Sequence, residues 1–305
     1  MDGILIIDKP AGITSHDVVA RVRRILKTKR VGHTGTLDPF ATGVMVVVVG
    51  KATRLAQFLD KDEKEYEAVV RFGFETDTGD VTGTQISESR LRNEEIAEVL
   101  AAADLDKVFD VFRGDIEQVP PMYSAKKIAG KKLYELARKG ETVERKAVRV
   151  TIKKLEIIGD REISEPPSAT DMLRIRVACS AGTYIRTLAE DIGKKLGIGA
   201  HLTELRRTRA GRFVLLQSVT LDALAEDSDP AARLLPLELA VEHLASISLN
   251  ADRAAKTRGG LSTRIQEAQF AEGQPIRMLD ESSMLIAIGV YDDAEISVRP
   301  KVVLV

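Results

Sequence analysis

The run Val44–Val49, VMVVVV, constrains the fold more than any other stretch of this chain: it is apolar on both faces of a strand and β-branched at five of six positions. Such a strand must be covered on both sides, which places it inside a sheet with packing layers above and below. Further β-type runs follow the same logic at Ile4–Asp8, Tyr66–Phe74, Val148–Ile158 and Met172–Ser180. Helical spacing appears between them. Ser15 can cap a helix running through Lys27, with Val18, Val19, Val22 and Ile25 or Leu26 on one face. Segments Ala52–Leu59, Asn93–Ala103 and Leu133–Arg138 also read as helices, and one more opens near Thr183, with Ile185, Leu188, Ile192 and Leu196 aligned and Gly197 as its stop. The pattern predicts a mixed α/β (α+β) fold. A helical connector is expected over Leu221–Leu244, and a small all-β module beyond Ser246.

At 305 residues and 44% hydrophobic content the chain can bury one large and one small core. No apolar run approaches the roughly 18 residues of a membrane span, and the N-terminus lacks a basic, then long apolar, leader, so a cytoplasmic address is expected. The single cysteine, Cys179, lies in an alternating strand where a small buried residue fits. A net charge of -1 conceals three basic bands: six basic and no acidic residues over 21–30, nine against three over 120–150, and six against one over 194–212. Each band alone reads as a solvated face; together, beside glycine-rich or aromatic segments, they point to a cleft for a polyanion, RNA or DNA.

Immediately before the valine run stands GHTGTLDPFATGV, Gly32–Val44, an ordered loop by its glycines, threonines and proline. Pro39 biases Asp38 toward extended angles and presents its carboxylate from a stiff turn. The same pair is equally compatible with a helix start, Asp as N-cap and Pro at the first position. Arg186 falls in the first turn of its helix, where the macrodipole disfavours a cation, so an anionic partner is expected, in a site or at an ordinary surface carboxylate. The histidines, His16, His33, His201 and His243, show no metal-ligand spacing, and neither a phosphate-binding loop nor a Ser/His/Asp hydrolase motif is present. What remains is a carboxylate nucleophile with an arginine, and Tyr66, Tyr123 and Tyr184 near basic segments. That set suits chemistry on an unstacked nucleobase.

These residues resemble one family. IIDKPAGITSHDVV at 6–19, GHTGTLDPFATGV, EKEYEA at 63–68, TDTGD at 76–80, QVPPMYSAKKIAGKKLYELARKG at 118–140 and GTYIRTLAEDIG at 182–193 are similar, in order and over nearly the whole chain, to the TruB-type tRNA pseudouridine synthases. The resemblance implies a pseudouridine synthase core with a mixed sheet and flanking helices over 1–245. It also implies a basic RNA-binding insertion at 122–146 and a PUA-like C-terminal β-barrel over 246–305. It implies isomerisation of the T-loop uridine of tRNA, position 55 in tRNA numbering, to pseudouridine, by a monomer without cofactor or metal.

By the same resemblance Asp38 is the nucleophile, Arg186 its paired arginine and Tyr66 the aromatic that stacks on the flipped base and takes part in proton transfer. Tyr184 contacts the base, His33 fills the space the base vacates and Leu205 is an apolar contact. Lys126, Lys127, Lys131 and Lys132 are expected to hold the RNA backbone. Each has a plain structural alternative: core aromatics for Tyr66 and Tyr184, a loop hydrogen-bonder for His33, helix core for Leu205. Two further functions fit the motifs: the catalytic subunit of a guide-RNA-directed pseudouridylation particle, and a tRNA-folding chaperone without catalysis. Compact termini and the long insertion favour the stand-alone enzyme over the first, and intact Asp38, Tyr66 and Arg186 disfavour the second.

Overall fold

The computed structural model describes residues 1–88, 91–124, 126–128, 130–137, 139–141, 143–159, 171–265 and 270–304. The valine run lies in the strand Thr42–Val49, buried from Gly43 onward, inside a ten-stranded mixed sheet. One neighbour, Gly3–Lys9, pairs with it antiparallel along seven residues, from Gly3 opposite Val49 to Lys9 opposite Gly43. On its other edge Val31–Thr34 pairs antiparallel with Val46–Val49, and Ala200–Ala210 runs parallel, pairing at Arg206 opposite Thr42 and Arg207 opposite Gly43. Beyond Ala200–Ala210 the sheet continues through Lys64–Phe72, Met172–Cys179, Val148–Ile157 and Gly114–Gln118, all antiparallel. Two sheet halves are thus joined at a short parallel seam. Gly43 makes the seam possible: its φ is +100°, and a Cβ there would lie 2.2 Å from the Arg207 carbonyl oxygen.

Both faces of the valine run are covered, as its composition requires. Val44, Val46 and Val48 pack with Ile4, Ile6, Leu55 and Leu59, and with Leu285, Ile288 and Val302 of the C-terminal segment. Met45, Val47 and Val49 face Leu5, Ile7 and the apolar stripe Val18, Val19, Val22 of the helix Ser15–Ile25. Burying each such side chain contributes about 1.5–3 kcal/mol. In the other half Tyr66, Ala68, Val70, Ile175 and Val177 lie under Ile185, Leu188 and Ile192 of the helix Ile185–Leu196. That helix stops at Gly197, in the left-handed region at φ 75°. Cys179 is buried and unpaired, and burial pushes its thiol up to about 11.

The C-terminal segment forms a separate five-stranded sheet in the order Ala245–Ser248, Pro275–Leu279, Leu285–Asp292, Ser297–Val303, Thr263–Arg264. The helix Ala251–Arg258 packs on it through Ala254.

Several elements differ from expectation. The first helix is capped by Thr14, in a capping box with Asp17, because the buried Ser15 hydroxyl is engaged elsewhere. Ala52–Leu59 is a 3₁₀ turn, Gly50–Leu55, followed by a single α-turn, Ala56–Leu59. Leu205 belongs to a strand rather than a helix. Its alternation was hidden because register slips at Leu202/Glu204 and Arg207/Arg209 break the period of two. The expected connector is helical only over Leu221–Glu226, with 3₁₀ turns Pro230–Arg233 and Leu237–Ala240 where Pro230 and Pro236 interrupt it. In the insertion, strands Lys127–Ile128 and Lys131–Lys132 form a hairpin leading into the helix Leu133–Ala137; Arg138 lies outside the described residues. The strands Val31–Thr34 and Gly114–Gln118 carried no recognised pattern in the sequence.

Candidate active site

The loop carrying Asp38 is held from four directions. Lys9, fully buried, donates its Nζ to the carbonyls of Ala41 at 2.7 Å, Pro10 at 3.0 Å and Pro39 at 3.2 Å. The Ser15 hydroxyl accepts from the Leu37 amide at 2.9 Å and donates to its carbonyl at 3.1 Å. The Gly12 amide donates to Pro39 O at 2.8 Å, and Arg207 Nη2 donates to Gly35 O at 2.9 Å. Within the loop the Ala41 amide reaches Asp38 O at 3.1 Å, closing a turn. Asp38–Pro39 therefore begins no helix.

The Asp38 carboxylate meets Arg186 in a two-point ion pair, Nε to Oδ2 at 2.9 Å and Nη2 to Oδ1 at 3.2 Å. Arg186, at the N-terminus of its helix, has only 5% of its side chain exposed. Its remaining N–H groups reach Thr78 O at 2.8 Å and Tyr123 O at 2.7 Å, and Asp80 Oδ2 lies 3.7 Å from Nη1. Asp80 is itself fixed by the hydroxyls of Thr78 and Thr82. The anionic partner anticipated for Arg186 is thus a pair of carboxylates from two separate loops. Burial pushes the Asp38 carboxyl above its ordinary range; Arg186 opposes this, Asp80 adds to it, and Lys9 opposes it more weakly. Lys9 falls to about 8, chiefly by burial, with Asp38 pulling the other way.

Asp38 stands where two cavities meet. The inner one, about 240 Å³, is lined by Tyr66, Tyr184, Leu205, Arg186 and Arg207 as well as Asp38. The outer one, about 570 Å³, adds His16, Asp80, Tyr123 and Tyr134. Tyr66 projects from the strand Lys64–Phe72 and is buried; burial raises its phenol pKa and the neighbouring Arg207 pulls it back. Tyr184 precedes the helix Ile185–Leu196, its backbone amide and carbonyl both bonded to the buried Gln118 side chain. Leu205 supplies an apolar wall. His33 lines neither cavity; its ring packs edge-on against His16 at 5.7 Å, and burial, then His16, hold its pKa down to about 4. Lys126 is half-buried; Lys127, Lys131 and Lys132 contribute the backbone of the hairpin, and their side chains lie outside the described part.

Lys9, Ser15, Asp80, Gln118 and Arg207 complete the site, and none of them is a site candidate from the sequence, where Ser15 reads only as a helix cap. Two leave a trace there: Lys9 is a charge ending an apolar strand, and Asp80 closes TDTGD, a turn that is also one of the segments carrying the resemblance. Arg207 was counted in a basic band, and it is buried instead.

The sequence model of the TruB family pseudouridylate synthase N-terminal domain matches residues 23–185, and that of the tRNA pseudouridylate synthase B C-terminal domain matches 186–242. Curated relatives include tRNA pseudouridine synthase B of Geobacillus thermodenitrificans, 46% identical over 87% of this chain and 86% of the relative. The same-named protein of Pseudomonas aeruginosa is 42% identical over 98% and 95%. Among solved structures, a Cbf5–Nop10–Gar1 complex contains a chain that superposes with a TM-score of 0.72 at 27% identity, covering 99% of this chain and 85% of that one. The residues 6–19, 32–44 and 182–193 that frame the cavities carry the motifs that resembled this family, and the chain belongs to the TruB family of pseudouridylate synthases.

Proposed function

We propose that this protein isomerises the T-loop uridine of tRNA to pseudouridine, with Asp38 as nucleophile. The observation that carries the reading is the two-point Asp38–Arg186 pair at the junction of the two cavities, in a chain whose relatives named tRNA pseudouridine synthase B span nearly its full length. The RNA enters by the outer cavity and the flipped base occupies the inner one. There Tyr66 provides an aromatic face, Tyr184 and Leu205 complete the walls, and Asp38 attacks the nucleoside. Arg186 keeps Asp38 ionised against the desolvation of the site and fixes both oxygens, so that attack needs little reorganisation. His33, packed edge-on against His16, fills the space that the flipped base vacates. Lys126, Lys127, Lys131 and Lys132 hold the phosphate backbone of the T-arm, adding affinity without sequence readout.

The similarity to Cbf5 keeps the guide-RNA-directed reading in view, at 27% identity against 42–46% for the tRNA enzymes. Incubating the purified chain with an unmodified tRNA transcript decides between them. Conversion of one T-loop uridine with no other protein or RNA is expected; no conversion would overturn the stand-alone assignment.

A further inference from the structure

Arg207 is a buried cation without an acid. It is 1% exposed, and among the described residues it forms no ion pair, whereas its chain neighbour Arg206 pairs with Asp8 at 2.8 Å. Its guanidinium donates to main-chain carbonyls, Nε to Val44 O at 2.6 Å and Nη2 to Gly35 O at 2.9 Å. Lys64 stands nearby; burial and then Arg207's charge make it less basic, and its Nζ is occupied by Asp60 O and Asp62 O. Asp62 and Asp60 offset part of the Lys64 charge, but the Arg207 guanidinium has no carboxylate bonded to it among the described residues, an arrangement that is costly in a buried setting unless an anion arrives there. Arg186 does not offer its charge in the same way, because Asp38 and Asp80 already engage it.

Arg207 also sits directly opposite Tyr66 on the adjacent antiparallel strand, and both line the inner cavity. A guanidinium has only donors, so toward it the Tyr66 oxygen can serve only as an acceptor. The Arg207 interaction also draws the phenol's pKa down against burial.

In this isomerisation an Asp38 carboxylate oxygen bonds to C1′ as the C1′–N1 bond breaks, and the electron pair of that bond stays on the uracil ring, spread over N1, O2, O4 and C5. C5 then bonds to C1′ with that pair as the C1′–O bond breaks and restores the Asp38 carboxylate, after which C5 loses its proton and N1 gains one. The sum is an isomerisation with no co-reactant, and between the two bond changes the ring is an anion. We propose that Arg207 is a positioning residue for this interval: its charge, delivered through the Tyr66 hydroxyl, stabilises the detached uracil ring as an anion in the inner cavity. The inference rests on the uridine isomerisation proposed above.

The test is a set of single-turnover rates at saturating tRNA transcript, with RNA affinity measured separately. Arg207→Gln keeps polar contacts and loses the charge; it should slow turnover about a hundredfold, as loss of one preorganised charge-stabilising donor does, with affinity within threefold. Arg207→Lys restores the charge and should recover at least tenfold of that loss. In a double-mutant cycle, Tyr66→Phe should cost much less in the Arg207→Gln background, where the charge is gone, than in wild type, because the two groups act as one unit. Equal rates for Gln and Lys would overturn the role of charge. An equal cost of Tyr66→Phe in the wild-type and Gln backgrounds would overturn action through Tyr66, and Arg207→Met serves as the charge-free background if the Gln variant does not fold. Wild-type conversion and its loss in Asp38→Asn report on the underlying activity, so failure of that reading shows in different samples.

Discussion

The Asp38 loop and the basic insertion meet at one side chain and are held in opposite ways. Residues 35–41 are tied down by Lys9, Gly12, Ser15 and Arg207, nearly all through main-chain atoms. The insertion spans 122–146 with a two-residue hairpin and a five-residue helix. It is anchored through buried Leu133 and Leu136, through Arg145 to Pro120 O at 3.0 Å, and through Tyr123 O on Arg186. The first region must place a carboxylate to within a fraction of an ångström of a reacting atom. The second must bring positive charge to a polyanion, which tolerates many geometries. Arg186 belongs to both, donating to Asp38 and to Tyr123 O.

If that division holds, changes in the loop should alter turnover and leave affinity alone. Asp38→Asn is expected to have the largest effect: turnover falls by more than about a thousandfold while tRNA affinity stays within a few fold, since the amide keeps the shape but is no nucleophile. Residual activity within tenfold of wild type would break the assignment. Arg186→Lys should follow closely, with a loss of about a hundredfold or more, because an ammonium cannot reproduce the two-point pair and the carbonyl contacts together. Retention of most activity would reduce Arg186 to a structural tie.

Gly43→Ala sharpens the comparison at the seam. The new Cβ would meet the Arg207 backbone at under 3 Å, and the conformation at φ +100° is itself strained for alanine, so the variant should lose about 1–3 kcal/mol of stability. A melting temperature unchanged from wild type would show that the seam yields. Lys9→Met probes the loop's charge environment. Asp38 is raised by burial and lowered by Arg186 and, more weakly, by Lys9. Activity therefore declines as pH falls through an Asp38 pKa above the ordinary carboxylate range, and removing Lys9 moves that acid limb to higher pH. A rate profile whose acid limb stays in place or moves down would contradict the assignment of the limb to Asp38.

Much of this was legible from residues, and the exceptions share a physical cause. Val44–Val49 announced a strand covered on both faces because composition alone imposes that. Arg186 announced a partner because a cation at a helix start needs one. Ser15 was read as a cap from its local position, yet its hydroxyl serves Leu37, twenty-two residues away. Arg207 and Gln118 are polar residues whose burial depends on which strands come to lie side by side. The strand Ala200–Ala210 hid its alternation behind two register slips. Long-range pairing decided each of these cases, and no local period encodes it.

The insertion carries the smallest and most separable effect. If Lys126, Lys127, Lys131 and Lys132 neutralise phosphates, replacing all four with alanine should weaken tRNA binding at low salt and flatten the dependence of log affinity on log salt. Each lost phosphate contact should reduce the slope by about 0.7–0.9, according to whether a single strand or a duplex is engaged. The helix Leu133–Ala137 holds its place through Leu133 and Leu136, which the substitutions leave untouched, so the Tyr123 carbonyl should stay on Arg186. Turnover at saturating tRNA should accordingly remain substantial, the reverse of the Asp38 and Arg186 variants. Parallel salt lines for wild type and the quadruple variant would show these lysines to be a solvated surface. A collapse of saturated turnover would instead show that the insertion shapes the active site through Arg186, and the division between the two regions would have to be given up.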